Sequence, residues 1–208
     1  MVRVVTIDRE YGSGASEIAQ KLAERLRWKL WDQRLTAEIA RLLECDSRVV
    51  QEREERCDPL RRRLLKAFWR GSFEGADDSE RFRTADADCI REAAETVVRQ
   101  AAWEGQCVIV GRGSAYYLQD DPGAFHVFIY APIEYKVERL KAQGHSEDEA
   151  YRLAETVDGD RSAYIKKYFQ ADWPAARHFY HLMLNSAVGE DVVVDTIMDW
   201  INRKNAAG

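Results

Sequence analysis

Three runs of apolar and β-branched residues dominate the chain: VRVVTI at residues 2–7, CVIVGRG at 107–113 and FHVFIYAP at 125–132. A strand with one wet face alternates apolar and polar side chains. These runs scarcely alternate, so both faces are expected to be covered, as in a parallel sheet whose crossovers are helices. Helical periodicity follows the first and third runs. Ile18, Leu22 and Leu26 recur at spacing four with Ala19 and Ala23 beside them, and Ile133, Val137 and Leu140 form a second face. Pro132 opens that second helix, where its missing N–H costs nothing. Two shorter apolar pieces, WKLWD ending at Asp32 and YHLMLNS at 180–186, complete the strands, and EDVVVDTIMDWINRK reads as a closing helix. Ser146 and Glu149 form a capping-box pattern for one further helix.

The expected fold is therefore α/β, with a parallel sheet between helical layers. Its ligands belong at the carboxyl ends of the strands, and Gly12 to Ser16, Asp32, Arg112 and Asn185 all fall there. Residues 33–104 are mostly helical in pattern and highly charged. They separate two strands, so they read as an insert or an elaborate crossover, and the last helix of that region should stop at Gly105.

Composition narrows the function classes. The chain has 208 residues, enough for one such domain, and is 46% hydrophobic with a net charge of −5. An acidic balance gives no support to nucleic-acid binding. No apolar run approaches the ~18 residues of a membrane span, and the N-terminus reads as a strand and not a signal peptide. Cys45, Cys57, Cys89 and Cys107 form no C-x-x-C pair and have no histidine at zinc spacing. They read as reduced thiols of a cytoplasmic protein. The basic stretch RRRLLKAFWR at residues 61–70 fits an amphipathic helix of the insert, with contact to an anionic surface as the sharper alternative.

The segment TIDREYGSGASEIAQKL poses the functional question. A strand runs into Gly12-Ser13-Gly14 and a helix follows at once. This is the layout of a phosphate-gripping loop, G-x-x-x-x-G-K-[ST], with Arg9 in place of its first glycine and Ala15 in place of its lysine. Glycine-rich backbone amides and a helix N-terminus attract phosphate without a lysine. Ser16 occupies the hydroxyl position that meets a magnesium ion, and Arg9 is a candidate for the absent charge. Taken locally, G-x-G fits phosphate binding and a plain turn equally. Arg112, between two glycines at a strand end, suits bidentate phosphate contact, with a surface arginine in a tight turn as the plainer alternative. Asp158 and Arg161 in TVDGDRSAYIKKYF fit either a lid over phosphate or a solvated i,i+3 pair.

Several separated segments together resemble the cytidylate kinase-like family of P-loop nucleoside monophosphate kinases. They are REYGSGASEIA, WD at 31–32, CVIVGRG, FIYAP, DGDRSAYIKKYF, DW at 172–173 and YHLMLNS, in the family's order over nearly the whole chain. The family's loop also lacks the lysine. The resemblance implies a three-layer P-loop kinase fold with a five-stranded parallel sheet, a core of residues 1–32 and 105–208, a helical acceptor-binding insert at about 33–104 and a lid at about 144–168. It also implies transfer of the ATP γ-phosphate, with Mg2+, to a nucleoside monophosphate, nominally CMP or dCMP. Gly12, Ser13, Gly14, Ala15 and Ser16 match the phosphate loop, with Ser16 toward the metal. Arg9 stands at the edge of that loop, Arg112 matches the arginine of the family's GR motif, which faces the acceptor phosphate, Asp158 and Arg161 match the lid's D-x-x-R, and Asn185 matches the asparagine near the ATP base. On this footing Arg9, Arg112 and Arg161 are expected to neutralise charge, and Asp32 to serve the acceptor side.

The chain departs from the family at several places. Gly113 stands where cytidylate kinases have an aspartate, Ala115 and His181 where relatives often carry Asp, Arg34 where an acid is usual, and Ala15 where the loop has a second glycine. Those departures motivate an alternative reading: a nucleotide-binding regulatory or interaction protein without turnover.

Overall fold

The computed structural model describes residues 1–50, 87–173 and 177–206. The basic stretch at 61–70, Cys57 and Pro174 lie outside the described residues. The chain runs β1 (Val4–Arg9), α1 (Ala15–Leu26), β2 (Lys29–Trp31), α2 (Gln33–Val50), α3 (Ala87–Glu104), β3 (Cys107–Val110) and α4 (Ser114–Tyr117). It continues through β4 (Ala124–Tyr130), α5 (Ile133–Ala142), α6 (Glu147–Phe169), β5 (Leu182–Asn185) and α7 (Glu190–Ala206), with a short 3₁₀ turn, Ser186–Val188, after β5.

The five strands form one parallel sheet in the order β2-β3-β1-β4-β5. Successive residues of β1 serve opposite faces, as a pleat requires. Val4 joins Ile109 and Phe128 under α2, α3 and α4. Val5 and Ile7 join Val108, Val110, Val127 and Ile129 under α1 and α7, where Ile18, Leu22, Val194 and Ile197 are fully buried. A third cluster packs Tyr11 against Val137, Leu140, Ala150, Ala154 and Val157, tying α5 and α6 to the loop after β1. Each large apolar side chain so buried is worth ~1.5–3 kcal/mol. The doubly covered sheet expected from the unbroken apolar runs is thus present.

Element ends show where periodicity misjudged a boundary. β1 continues two residues beyond the apolar run, because Asp8 and Arg9 still pair with Phe128 and Ile129 of β4 after the pairing with β3 has ended at Ile7. Pro132 is the residue before α5 and not its first turn, with an extended ψ of 148°. Ser146 caps α6 as expected, its hydroxyl accepting the Glu149 N–H at 3.3 Å. Gly105, at φ 71°, ends α3 where expected. Cys107 is a buried free thiol, and burial pushes its pKa up to about 12, so it is inert. Among the described residues, no helix is long and apolar enough to cross a membrane.

Candidate functional site

The chain leaves β1 for β2 on one side of the sheet and leaves β3 for β4 on the other. The loops after β1 and β3 therefore open side by side at the sheet's switch point, where α/β sheets bind ligands. Both loops are glycine turns. Gly12 and Gly14 have φ of 76°, and Gly111, Arg112 and Gly113 follow one another at 66°, 59° and 71°. That left-handed run turns the chain sharply enough to aim Arg112 back over the strand ends.

Gly14 is the residue that caps α1, and it offers no side-chain acceptor to the first helical N–H groups. A helix start left so is suited to an anion. Ser13 differs from its neighbours. Its hydroxyl is fully buried and donates to the Glu10 carbonyl at 2.8 Å, so it braces the turn. Ala15 begins α1 and is buried. Ser16 Oγ donates to Asp32 Oδ2 at 3.3 Å, joining α1 to the end of β2. Asp32 is 9% exposed, and its other oxygen, Oδ1, is buried without a hydrogen-bond partner. A hydroxyl beside a carboxylate with an unsatisfied oxygen suits a hard cation that keeps water and phosphate as its remaining ligands. Among the described residues, no group of three or more His, Cys, Asp or Glu side chains forms a metal cage.

The arginines named from the sequence converge. Arg112, 6% exposed, donates through Nη2 to Thr36 Oγ1 at 2.8 Å, at the start of α2. Burial first, and then Arg9, lower its pKa to about 9, with Arg161 adding to the effect and Asp32 opposing it. It remains charged at neutral pH. Arg9 lies over Gly111, so closely that a Cβ there would be 3.0 Å from its Cζ. Arg161 Nη1 donates to the Arg9 carbonyl at 2.9 Å and to Asp158 Oδ1 at 3.2 Å. Guanidinium groups crowded into a dry pocket repel one another, and an anion among them relieves that repulsion.

Asp158 does more than pair with Arg161. Its carboxylate accepts the Tyr11 N–H at 2.7 Å and Lys136 Nζ at 3.2 Å, and Lys136 also reaches Glu10 at 3.2 Å. α6 is thereby clasped to the loop after β1. Its far end is anchored as well: Phe169 stacks on Tyr116 at 4.8 Å, and Tyr168 donates to Asp88 of α3 at 3.0 Å. Asn185 sits apart from this cluster, at the end of β5, where its side-chain oxygen accepts the Ala187 N–H at 3.0 Å.

Of the positions that depart from the family pattern, Gly113 and Ala115 are packed in, while Arg34 and His181 are exposed. A Cβ on Gly113 would lie 2.8 Å from the Phe169 ring, so no side chain fits there. Ala115 is fully buried, Arg34 stacks on Trp31 at 4.7 Å, and His181 Nδ1 accepts the His126 N–H at 3.0 Å.

Several polar residues of the site escaped the sequence reading. Asp8 is buried near the end of β1, where burial raises its pKa against the hydrogen bond donated by Tyr180 at 2.8 Å. Lys136, 8% exposed, lies on a helix whose apolar face was judged from Ile133, Val137 and Leu140. Arg139, one turn on, reaches Gly14, where a Cβ would lie 2.8 Å from its Cζ. Helical spacing reads both cations as solvated.

The family model of the cytidylate kinase-like family matches residues 4–188. Among solved structures, an uncharacterized protein from Eubacterium ventriosum is similar, with TM-score 0.68 and 25% identity over 98% of this chain and 99% of that one. A shikimate kinase from Acinetobacter baumannii in complex with shikimate has TM-score 0.55 and 15% identity, covering 98% and 95% of the two chains. A shikimate kinase from Bacteroides thetaiotaomicron has TM-score 0.53 and 12% identity over 96% and 98%. At the two lower identities the likeness is one of fold, the P-loop kinase fold. None of the curated proteins matches the chain.

Proposed function

The chain belongs to the cytidylate kinase-like family, and on that premise we propose that it transfers the γ-phosphate of ATP to a nucleoside monophosphate, nominally CMP or dCMP. The observation that carries this reading is the meeting of Arg9, Arg112 and Arg161 beside an uncapped helix start and the Ser16–Asp32 pair. Phosphoryl transfer asks a protein for positioning and charge neutralisation more than for covalent chemistry, and this site offers both.

In the proposed reaction an oxygen of the acceptor phosphate attacks the γ-phosphorus in line, the bond to the β–γ bridging oxygen breaks, and ADP leaves. The amides of Gly12 to Ser16 hold the phosphate chain. Ser16 and the free oxygen of Asp32 would hold a magnesium ion, which supplies charge neutralisation across the β- and γ-phosphates. Arg112, steadied by Thr36, takes the acceptor phosphate. Arg9 and Arg161 neutralise the charge on the moving phosphoryl group, and Asn185 lies toward the ATP base. In this reading the acceptor lies toward the insert at about 33–104, of which residues 51–86 lie outside the described residues. The segment at about 144–168 is the lid, drawn down by Asp158 to exclude water. We assign the activity to the cytoplasm.

The test is magnesium-ATP turnover against CMP, dCMP, UMP, AMP and GMP, with Arg112→Ala as control. Transfer to one acceptor, lost in that variant, supports the assignment and names the substrate. Clear ATP binding by calorimetry with no transfer favours the second reading, a nucleotide-binding regulatory or interaction protein. Ala15 at the lysine position and the filled space at Gly113 are the observations behind that alternative.

A further inference from the structure

The phosphate loop carries no lysine, yet one cation lies directly on it. Arg139 comes from α5, the helix after β4, and its guanidinium covers Gly14, the residue just before the lysine position. A Cβ there would lie 3.1 Å from Arg139 Nε and 3.1 Å from Nη2. Two acids hold the side chain in this pose. Nη2 meets Glu17 at 2.7 Å and Nη1 meets Glu190 at 3.0 Å. Tyr135 lies under the guanidinium at 5.9 Å. Nε remains: it is buried and has no hydrogen-bond partner. A buried N–H left unpaired is costly, and it points to a ligand group that belongs there.

Each acid around it is paired. Arg139 holds Glu17 and Glu190, and Lys21 holds Glu190 at 3.1 Å and Asp191 at 3.0 Å. Asp191 is 81% exposed, so water and salt screen it. This pairing limits how far the acids offset the partial positive charge of the α1 start. Burial works against the charge on Arg139, but Glu17, Tyr135 and Glu190 outweigh it and raise its pKa, so the guanidinium is permanently ionised. Glu17 would otherwise stand as a bare carboxylate in the first turn of α1, repelling any phosphate bound there.

We propose that Arg139 supplies the loop's missing cation from a neighbouring helix, donating its Nε–H to the phosphate chain of the bound nucleotide while its two Nη groups neutralise Glu17 and Glu190. This rests on the nucleotide-binding reading above. The arrangement moves the charge from the loop's own sequence to a neighbouring helix. It also fixes a guanidinium that in a free arginine would be mobile, so little entropy is lost on contact.

The test separates phosphate from base. Calorimetry measures wild type, Arg139→Gln, Arg139→Lys and Glu17→Gln with ATP and with inorganic tripolyphosphate, which has no base. Arg139→Gln should weaken both ligands by about tenfold or more, with thermal denaturation showing it folded. Arg139→Lys should recover part of the loss. Glu17→Gln, which keeps Arg139 and removes its closest acid, should bind tripolyphosphate at least as tightly as wild type. The proposal is overturned if Arg139→Gln binds tripolyphosphate like wild type, whether or not ATP is weakened, since any loss confined to ATP assigns the cation to the base. A wild type that binds neither ligand overturns this proposal and the nucleotide-binding reading together. Normal ATP binding by both wild type and Arg139→Gln overturns this proposal alone.

Discussion

Gly111→Ala should silence the site while leaving the fold almost intact, and Gly105→Ala provides its matched control. Both glycines are left-handed, at φ 66° and 71°. An alanine in that region costs ~1–2 kcal/mol of backbone strain. For a chain of this size, each 1 kcal/mol lowers Tm by about 2–4 °C, so both variants should lose about 2–8 °C. Their surroundings differ. The nearest atom to a Cβ on Gly105 is Arg3 Cβ at 3.9 Å, an ordinary contact. A Cβ on Gly111 would overlap Arg9 Nη1 and come within 3.0 Å of Cζ. The guanidinium is the far end of a long, flexible side chain and can shift, but it then leaves the place beside Arg112 that the proposed reaction requires. Losing one placed donor to developing charge costs on the order of 10²-fold in rate. Thermal denaturation, initial rates with the acceptor that turns over, and the calorimetric ATP affinity are measured on both variants. The expected result is similar Tm values, with activity kept in Gly105→Ala and lost in Gly111→Ala. A folded Gly111→Ala with wild-type rates and affinity would refute the placement of Arg9 in the reaction.

Two further expectations concern stability. His126 is 3% exposed, and burial, with His181 beside it, lowers its pKa to about 4, below the ordinary 6.5. A folded-state pKa below the unfolded one means that the stabilisation is complete above pH 6.5 and drains away as pH falls toward 4, by about 3 kcal/mol. Urea denaturation at pH 7.5, 5.5 and 4.5 should show this slope, and His126→Gln should flatten it; an unchanged slope in the variant sinks the assignment. Asp158→Asn keeps an acceptor for the Tyr11 N–H but removes the charge facing Lys136 and Arg161. It should cost about 2–3 kcal/mol and speed hydrogen exchange in α6 ahead of the sheet. Exchange rising equally in β1 and β4 would show that the clasp is not local.

Much of the fold was legible because it rests on short-range patterning. Unbroken runs such as CVIV and FHVFIY announce strands buried on both faces, and the spacing of Ile18, Leu22 and Leu26 announces the helix covering them. The candidate site was legible where chemistry and backbone coincide: glycines at Gly12, Gly14, Gly111 and Gly113 mark left-handed turns, and strand ends mark the sheet's crevice. Arg9, Arg112 and Arg161 could be named one by one from the sequence. That they lie beside one another is a tertiary fact, since Arg161 is 152 residues from the Arg9 carbonyl it binds.

Other residues left no local signal. Asp8 interrupts an apolar strand and reads as its end, yet it is buried because β4 extends past β3 and Tyr180 arrives from the far end of the chain. Lys136 and Arg139 read as the wet side of α5, but the loop after β1 and the start of α7 pack on that side and turn both cations inward. By itself, the sequence determined which segments become strands, helices and tight turns, because hydrophobic period and glycine conformation act over a few residues. Only the tertiary structure decided which charges face one another, because desolvation and ion pairing depend on what the rest of the chain lays on top.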